Sequence, residues 1–181
     1  MVDKRIIDKR RIRKIKNKEK RLKKLRILKY IIPIGIILFI LINKFILSIV
    51  TVEGRSMEPT LREGSNIIVS KVRLGNDLKR NDIVILVGND DRQYIKRIIG
   101  LPGEFIQIDQ GKVYVNGQEL DEPYIGNIKT EVYNTNKWRV GEDEYFVLGD
   151  NRRLNDSKDS RIFGNVKENQ IIGKMIYKLG K

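Results

Sequence analysis

Asp82-Ile-Val-Ile-Leu-Val-Gly-Asn-Asp-Asp-Arg-Gln-Tyr-Ile-Lys-Arg-Ile-Ile99 places a turn-forming cluster, Gly88 to Asp91, between a short continuous apolar run and a strand-like one. That arrangement predicts a β-hairpin. Period two in Gln93 to Ile99 puts Tyr94, Lys96 and Ile98 on one face and Ile95, Arg97 and Ile99 on the other. Outward from this hairpin the same chemistry repeats. Asn66 to Val72 alternates loosely, and Leu101-Pro102-Gly103 fits a turn with proline at its second position and glycine at its third. Phe105 to Asp109 and Lys112 to Val115 read as strands, followed by Asn116-Gly117, the strongest short hairpin signal. Helical spacing is scarce throughout, so residues 51–181 are expected to form one mainly antiparallel β domain. Residues 121–142, with Pro123, Tyr124, Gly126, Asn134 and Trp138, show no period and are expected to be a long loop or an excursion at the rim.

The 181-residue chain carries a net charge of +14, which suggests a nucleic-acid partner until the charge is divided along the sequence. Residues 1–29 hold 15 of the lysines and arginines and only 3 acids, so the β region is close to neutral. From Lys4 to Lys29 isoleucines and leucines interleave with the cations, which suits either a helix formed on an anionic surface or a solvated basic arm. Residues 30–50 follow, from Tyr30-Ile-Ile-Pro to Leu-Ser-Ile-Val50. As a helix they would span about 31 Å, close to a bilayer core of about 30 Å. Lys44 is costly at mid-membrane, and extending its stem toward the outer interface reduces that cost. The segment is too long for a cleaved signal's apolar region and no small-residue cleavage site follows it. Residues 30–50 are therefore expected to be a transmembrane anchor. The basic arm, residues 1–29, would then lie in the cytoplasm and residues 51–181 outside it. An anionic bilayer is a nearer partner for the arm than nucleic acid.

The chain has no cysteine and no histidine. Thiol catalysis, cysteine zinc sites and disulfides are excluded, and a serine nucleophile could not use a histidine base. Ser56, in Gly54-Arg-Ser-Met-Glu-Pro-Thr60, lies six residues beyond the apolar run. Lys96 is the candidate base: burial penalises an ammonium, so a lysine among Tyr94 and isoleucines is placed to become a neutral amine. The same residue type also suits an edge strand facing solvent. A second polar concentration, Gly149 to Arg161, contains Asp150, Asp156, Asp159, Arg152, Arg153, Arg161, Ser157 and Ser160. It could line a site or be an ordinary solvated loop.

Three stretches together resemble the successive motifs of bacterial type I signal peptidases: Ser-Met-Glu-Pro-Thr-Leu from Ser56, Tyr-Ile-Lys-Arg-Ile-Ile-Gly-Leu-Pro-Gly-Glu from Tyr94, and Gly-Asp-Asn-Arg followed by Ser-Lys-Asp-Ser-Arg. With its one N-terminal anchor the chain is similar to the single-span form, over residues 30–181. The resemblance implies a coiled antiparallel β fold and a membrane-bound serine endopeptidase that cuts exported preproteins after small residues, with no cofactor or metal. It implies Ser56 as nucleophile, placed by Met57, and Lys96 as general base. Ser157 would orient the Lys96 amine, and Asp159, Arg161, Asp150 and Arg97 would form a supporting charge network. Substrate would add as a strand beside Tyr94 and Ile95.

Two positions depart from the family pattern. Some members carry an oxyanion-hole serine where this chain has Gly54, which leaves the Ser56 N–H and the space at Gly54. The third motif also has four residues, Arg153 to Asp156, where about two are typical, which makes Ser160 an alternative partner for Lys96. Two other functions fit parts of the sequence: an inactive relative that binds signal-like peptides or assists surface-structure assembly, and a self-cleaving protein like the repressors that share this fold. The repressors, however, carry a DNA-binding domain in place of an anchor.

Overall fold

The computed structural model describes residues 4–71 and 78–180, with backbone alone at 4–15, 18, 19, 25 and 41–46. The chain divides into two units, Met1–Lys44 and Phe45–Lys181. Helix α1 runs from Lys4 to Ile46, so the basic stretch and most of the apolar run are one helix of 43 residues with Pro33 inside it. At 1.5 Å per residue such a helix is about 64 Å long. Its described side chains from Lys20 to Ile40 are exposed, including Ile31, Ile34, Ile37 and Phe39. Among the described residues no helix is long and apolar enough to cross a membrane. The side chains of 41–46 lie outside those residues, and with them the expected reach of Lys44 toward an interface.

The apolar run does not remain helical to Val50. Leu47–Thr51 is strand β1, paired antiparallel with β2 (Asn66–Ser70) from Leu47 opposite Ser70 to Thr51 opposite Asn66. A short run of leucine, isoleucine and valine suits helix and strand alike. Here the backbone partners supplied by β2 decide.

The hairpin legible in the sequence is β3 (Ile83–Val87) and β4 (Gln93–Gly100), with Val84 opposite Lys96 and Ile83 opposite Arg97. Its turn closes through Asp91 N–H donating to the Gly88 carbonyl at 3.1 Å, with Asp91 at φ 59°. Next come β5 (Phe105–Asp109), β6 (Lys112–Val115) and β7 (Gln118–Glu119). Asn116 and Gly117 both have positive φ, 52° and 82°, as a tight hairpin turn of this handedness requires. Residues 121–142 are more ordered than expected. They hold a 3₁₀ turn at Pro123–Ile125 and strand β8 (Lys137–Arg139), which pairs with β5. Three residues are too few to show a period, and β8 is fixed by its partner and by Trp138, whose ring lies 4.9 Å from that of Phe146.

The chain ends in β9 (Glu144–Leu148), the single-turn helix α2 (Ser160–Phe163), β10 (Val166–Lys167) and β11 (Ile171–Leu179). The architecture is mainly antiparallel β. One seven-stranded sheet has the order β1-β2-β11-β3-β4-β9-β10, and a four-stranded sheet has the order β7-β6-β5-β8. Strand β3 is buried on both faces, Ile83 and Ile85 facing one core cluster and Val84 and Leu86 another. That accounts for its unbroken apolar sequence. The first of these clusters, with Val52, Met57, Leu61, Ile67 and Val69, packs beneath the segment that carries Ser56.

Candidate active site

Ser56 sits in the connection from β1 to β2. The base of this connection is closed by Val52 N–H donating to Ser65 O at 2.8 Å and Gly64 N–H donating to Val52 O at 2.9 Å. Within it Glu58 N–H donates to Arg55 O and Leu61 N–H to Met57 O, giving two consecutive tight turns. Met57 and Leu61 are buried in the core below, so two apolar anchors fix the segment while Ser56, immediately before the first of them, stays half-buried. The Glu58–Pro59 peptide is cis.

Lys96 is 2% exposed. Its Nζ lies 2.8 Å from Ser56 Oγ and 2.9 Å from the carbonyl oxygen of Ile95. Burial pushes its ammonium down from 10.5 to about 8, assisted by the Arg161 cation and opposed by the Asp159 and Asp150 carboxylates. Those carboxylates are themselves neutralised. Arg97 grips Asp150 through Nε at 2.8 Å and Nη2 at 2.6 Å, and Arg161 grips Asp159 through Nε at 2.9 Å and Nη2 at 2.8 Å. All four residues are buried. With each acid paired to an arginine, desolvation decides the charge of Lys96.

Ser157 is close by but occupied differently from its expected role. Its hydroxyl donates to Asp159 Oδ2 at 2.7 Å, and the same oxygen accepts Gly149 N–H at 3.0 Å. Ser160, the alternative, receives Val147 N–H on Oγ at 2.9 Å and so belongs to the start of α2. The geometry therefore brings Ser56 and Lys96 together directly, and brings Ser157 to the Asp159 carboxylate. The extra residues of the third stretch loop toward residues 131–133. Leu154 N–H donates to Glu131 Oε2 at 2.6 Å and Asn155 N–H to the Tyr133 hydroxyl at 3.1 Å. The insertion thus leaves Ser157 and Asp159 beside Gly149.

Gly149 is where the parts meet. A Cβ there would lie 2.2 Å from Ser157 Oγ and 2.4 Å from the Ser56 carbonyl oxygen, so only glycine allows this approach. Its N–H is held by Asp159, and its carbonyl accepts Arg152 Nε–H at 2.9 Å. Arg152 is wholly buried and forms a two-point ion pair with Glu122, while donating to Thr130 Oγ1 at 2.8 Å. Tyr124 donates its hydroxyl to Glu122 at 2.7 Å and lays its ring 3.9 Å from the Arg97 guanidinium. Burial, with the Glu122 carboxylate, pushes that hydroxyl above its usual range. Asn151 completes the frame: its N–H donates to Ser56 O at 3.0 Å and its side-chain amide to Arg55 O at 3.3 Å. Sequence reasoning did not single out Glu122, Thr130 or Asn151 as site residues. The excursion 121–142, which had no role on sequence grounds, supplies Glu122, Tyr124 and Thr130 to this network.

A cleft of about 260 Å³ opens beside the pair, lined by Val50 to Glu53, Ser56, Met57, Ile85 and Gln93 to Lys96. Tyr94 and Ile95 form part of its wall. A larger space of about 670 Å³ lies between Gln110–Val113 and residues 119–129, and neither Ser56 nor Lys96 lines it. Gly54, at φ 75°, borders open space, with no atom within 4 Å of where a Cβ would sit. Among the described residues no group of three or more acids is placed to hold a metal ion.

The family model described as signal peptidase, peptidase S26, matches residues 24–179. Signal peptidase IB of Staphylococcus aureus (strain COL) is 35% identical over 175 residues, covering 86% of this chain and 90% of that protein. Signal peptidase I of Bacillus caldolyticus is 41% identical over 147 residues, covering 74% and 80%. A crystal structure of a signal peptidase I from Enterococcus faecalis V583, 32% identical, covers 56% of this chain and 98% of that chain with a TM-score of 0.47. With a family match across most of its length, this chain belongs to the signal peptidase family, peptidase S26, and is an endopeptidase of the signal peptidase I class.

Proposed function

We propose that this protein is a membrane-anchored Ser–Lys endopeptidase that removes signal peptides from exported preproteins. The observation that carries the reading is the 2.8 Å approach of a buried lysine amine to the hydroxyl of Ser56. Neutral Lys96 takes the Ser56 Oγ proton as Oγ attacks the carbonyl carbon of the peptide bond. The developing oxyanion is met by the Ser56 N–H in the space left beside Gly54. Collapse breaks the C–N bond, and the proton on Lys96 passes to the departing amine. Lys96 then takes a proton from water as its oxygen attacks the ester carbonyl, and on collapse the C–Oγ bond breaks and Lys96 returns the proton to Ser56 Oγ. Arg97 with Asp150 and Arg161 with Asp159 keep the surroundings of Lys96 near neutral, and Met57 seats the nucleophile segment. Ser157 supports Asp159 and Gly149 in place. The substrate lies extended in the cleft along Tyr94 and Ile95.

The location follows from the apolar part of α1 and the basic residues before it. We place residues 30–46 in the cell membrane, with the basic arm on the cytoplasmic side and the β unit on the outer side. The experiment is incubation of the detergent-solubilised protein with an exported preprotein, followed by N-terminal sequencing of the product. Cleavage after a small residue, abolished by Ser56→Ala and by Lys96→Ala, is the expected outcome. Undiminished cleavage by both variants refutes the dyad. Binding without cleavage by the unmodified protein identifies it as an inactive relative.

A further inference from the structure

Tyr94 forms one wall of the cleft that also contains Ser56 and Lys96, and its ring is held in an unusual way. The hydroxyl donates to Asp90 Oδ2 at 2.7 Å. The same carboxylate oxygen accepts Lys158 Nζ at 2.8 Å, and that ammonium also lies 5.6 Å from the centre of the Tyr94 ring, within cation–π range. Phe163 packs against the ring with a centroid separation of 6.0 Å. On the hairpin side the ring lies close to the backbone of Gly88, where a Cβ would be 2.7 Å from it and 2.8 Å from Asp90 Oδ1. Asp90 comes from the β3–β4 turn, whereas Lys158 is the residue between Ser157 and Asp159. One contact therefore ties the hairpin to the loop that carries Ser157 and Asp159, behind the Tyr94 ring. Nothing in the proposed reaction uses either residue.

We propose that Asp90 and Lys158 act as a clasp that holds Tyr94 as a fixed wall of the cleft, limiting the size of the substrate side chain admitted beside Ser56. Both are positioning residues, acting through Tyr94 and touching no reacting atom. The inference rests on the reading of the cleft as the peptide site. An aromatic ring free to swing widens a small pocket, and the exclusion of a larger aliphatic side chain depends on such a wall staying in place. The clasp is only partly buried, with 47% exposure at Lys158 and 34% at Asp90, so dissolved salt weakens it.

The test uses the full chain in detergent and two peptides that differ only in having alanine or valine before the cut bond. The variants are Asp90→Asn, Lys158→Met and the charge swap Asp90→Lys with Lys158→Glu. Each single variant is expected to raise KM for the alanine peptide severalfold, to hold kcat, and to narrow the alanine preference about tenfold. The swap is expected to recover at least half of that preference. High salt narrows the preference of the unmodified protein and leaves that of Asp90→Asn alone. Single variants that keep the original preference, or lose kcat and thermal stability together at constant preference, overturn the clasp. A narrowed preference that neither salt nor the swap affects assigns the effect to one residue and also overturns it. If the unmodified protein cuts neither peptide, the cleft reading fails and the clasp with it; if it cuts both and the variants discriminate equally well, the clasp alone fails.

Discussion

Replacing Lys96 by methionine should abolish cleavage and yet stabilise the protein at neutral pH. The folded state holds the Lys96 ammonium near a pKa of about 8 against 10.5 in a free side chain. A folded-state pKa below the unfolded one means that between those values the unfolded chain binds the proton first. Stability therefore rises as pH climbs from about 8 to 10.5, and below about 8 the full penalty is present. That penalty is about 3 kcal/mol. Methionine fills a similar volume without a charge and removes it. The variant also loses two hydrogen bonds, to Ser56 Oγ and Ile95 O, at about 1 kcal/mol each. The balance is a gain of about 1 kcal/mol at pH 7 that becomes a loss of about 2 kcal/mol above pH 10.5, with a crossing near pH 9. Denaturant unfolding of the full chain, followed by the fluorescence of Trp138, its one tryptophan, measures the difference at each pH. Other titrating groups cancel between the two proteins. A variant less stable at pH 7, by an amount that stays constant to pH 10.5, refutes the reasoning. The same pKa governs the rate: about one molecule in ten has a neutral Lys96 at pH 7, against about one in three thousand at the free value. Cleavage should rise to half-maximum near pH 8, and a rise confined to pH above about 10 contradicts the assignment.

Gly149→Ala should lower both activity and stability, because the added methyl meets Ser157 Oγ at 2.2 Å and the Ser56 carbonyl at 2.4 Å. A cost of about 1–3 kcal/mol in unfolding free energy, together with a fall in kcat, is the expected result. Glu122→Ala strips the partner from the fully buried Arg152 and should cost about 3–5 kcal/mol, read by the same denaturation assay. A neutral outcome there means that Arg152 finds water or another acid.

The proposed pair, Ser56 and Lys96, could be picked out only by combining local chemistry with the family resemblance, because a strand lysine taken alone suits a solvent-facing edge equally well. Without a histidine the chain needs another base, and Lys96 stands out in a short strand of tyrosine and isoleucine. Turns were open to reading, since Asn116-Gly117 and Gly88 to Asp91 have few conformational choices. Strand β1 was hidden because its five residues continue an apolar run, and only the distant Asn66–Ser70 makes them a strand. Strand β8 was hidden for a related reason: Lys137, Trp138 and Arg139 acquire direction from β5. The partnership of Glu122 with Arg152 spans 30 residues, and no spacing rule relates two charged residues that far apart. Ser157 illustrates the limit within a recognised motif. Its place in the loop was foreseeable, but the direction of its hydroxyl depends on Asp159 being both buried and two residues away.

The order β1-β2-β11-β3-β4 carries a consequence for timing. Ser56 lies on the β1–β2 side of the large sheet and Lys96 on the β3–β4 side, and within that sheet the two sides are joined only through β11. Residues 171–179 therefore sit between strands made about a hundred residues earlier, and the sheet that links the two sides is complete only once they are inserted. Non-local pairing of this kind is slow compared with hairpin closure. A chain that lacks residues 171–179 thus carries both Ser56 and Lys96 but not the strand that joins their two sides of the sheet.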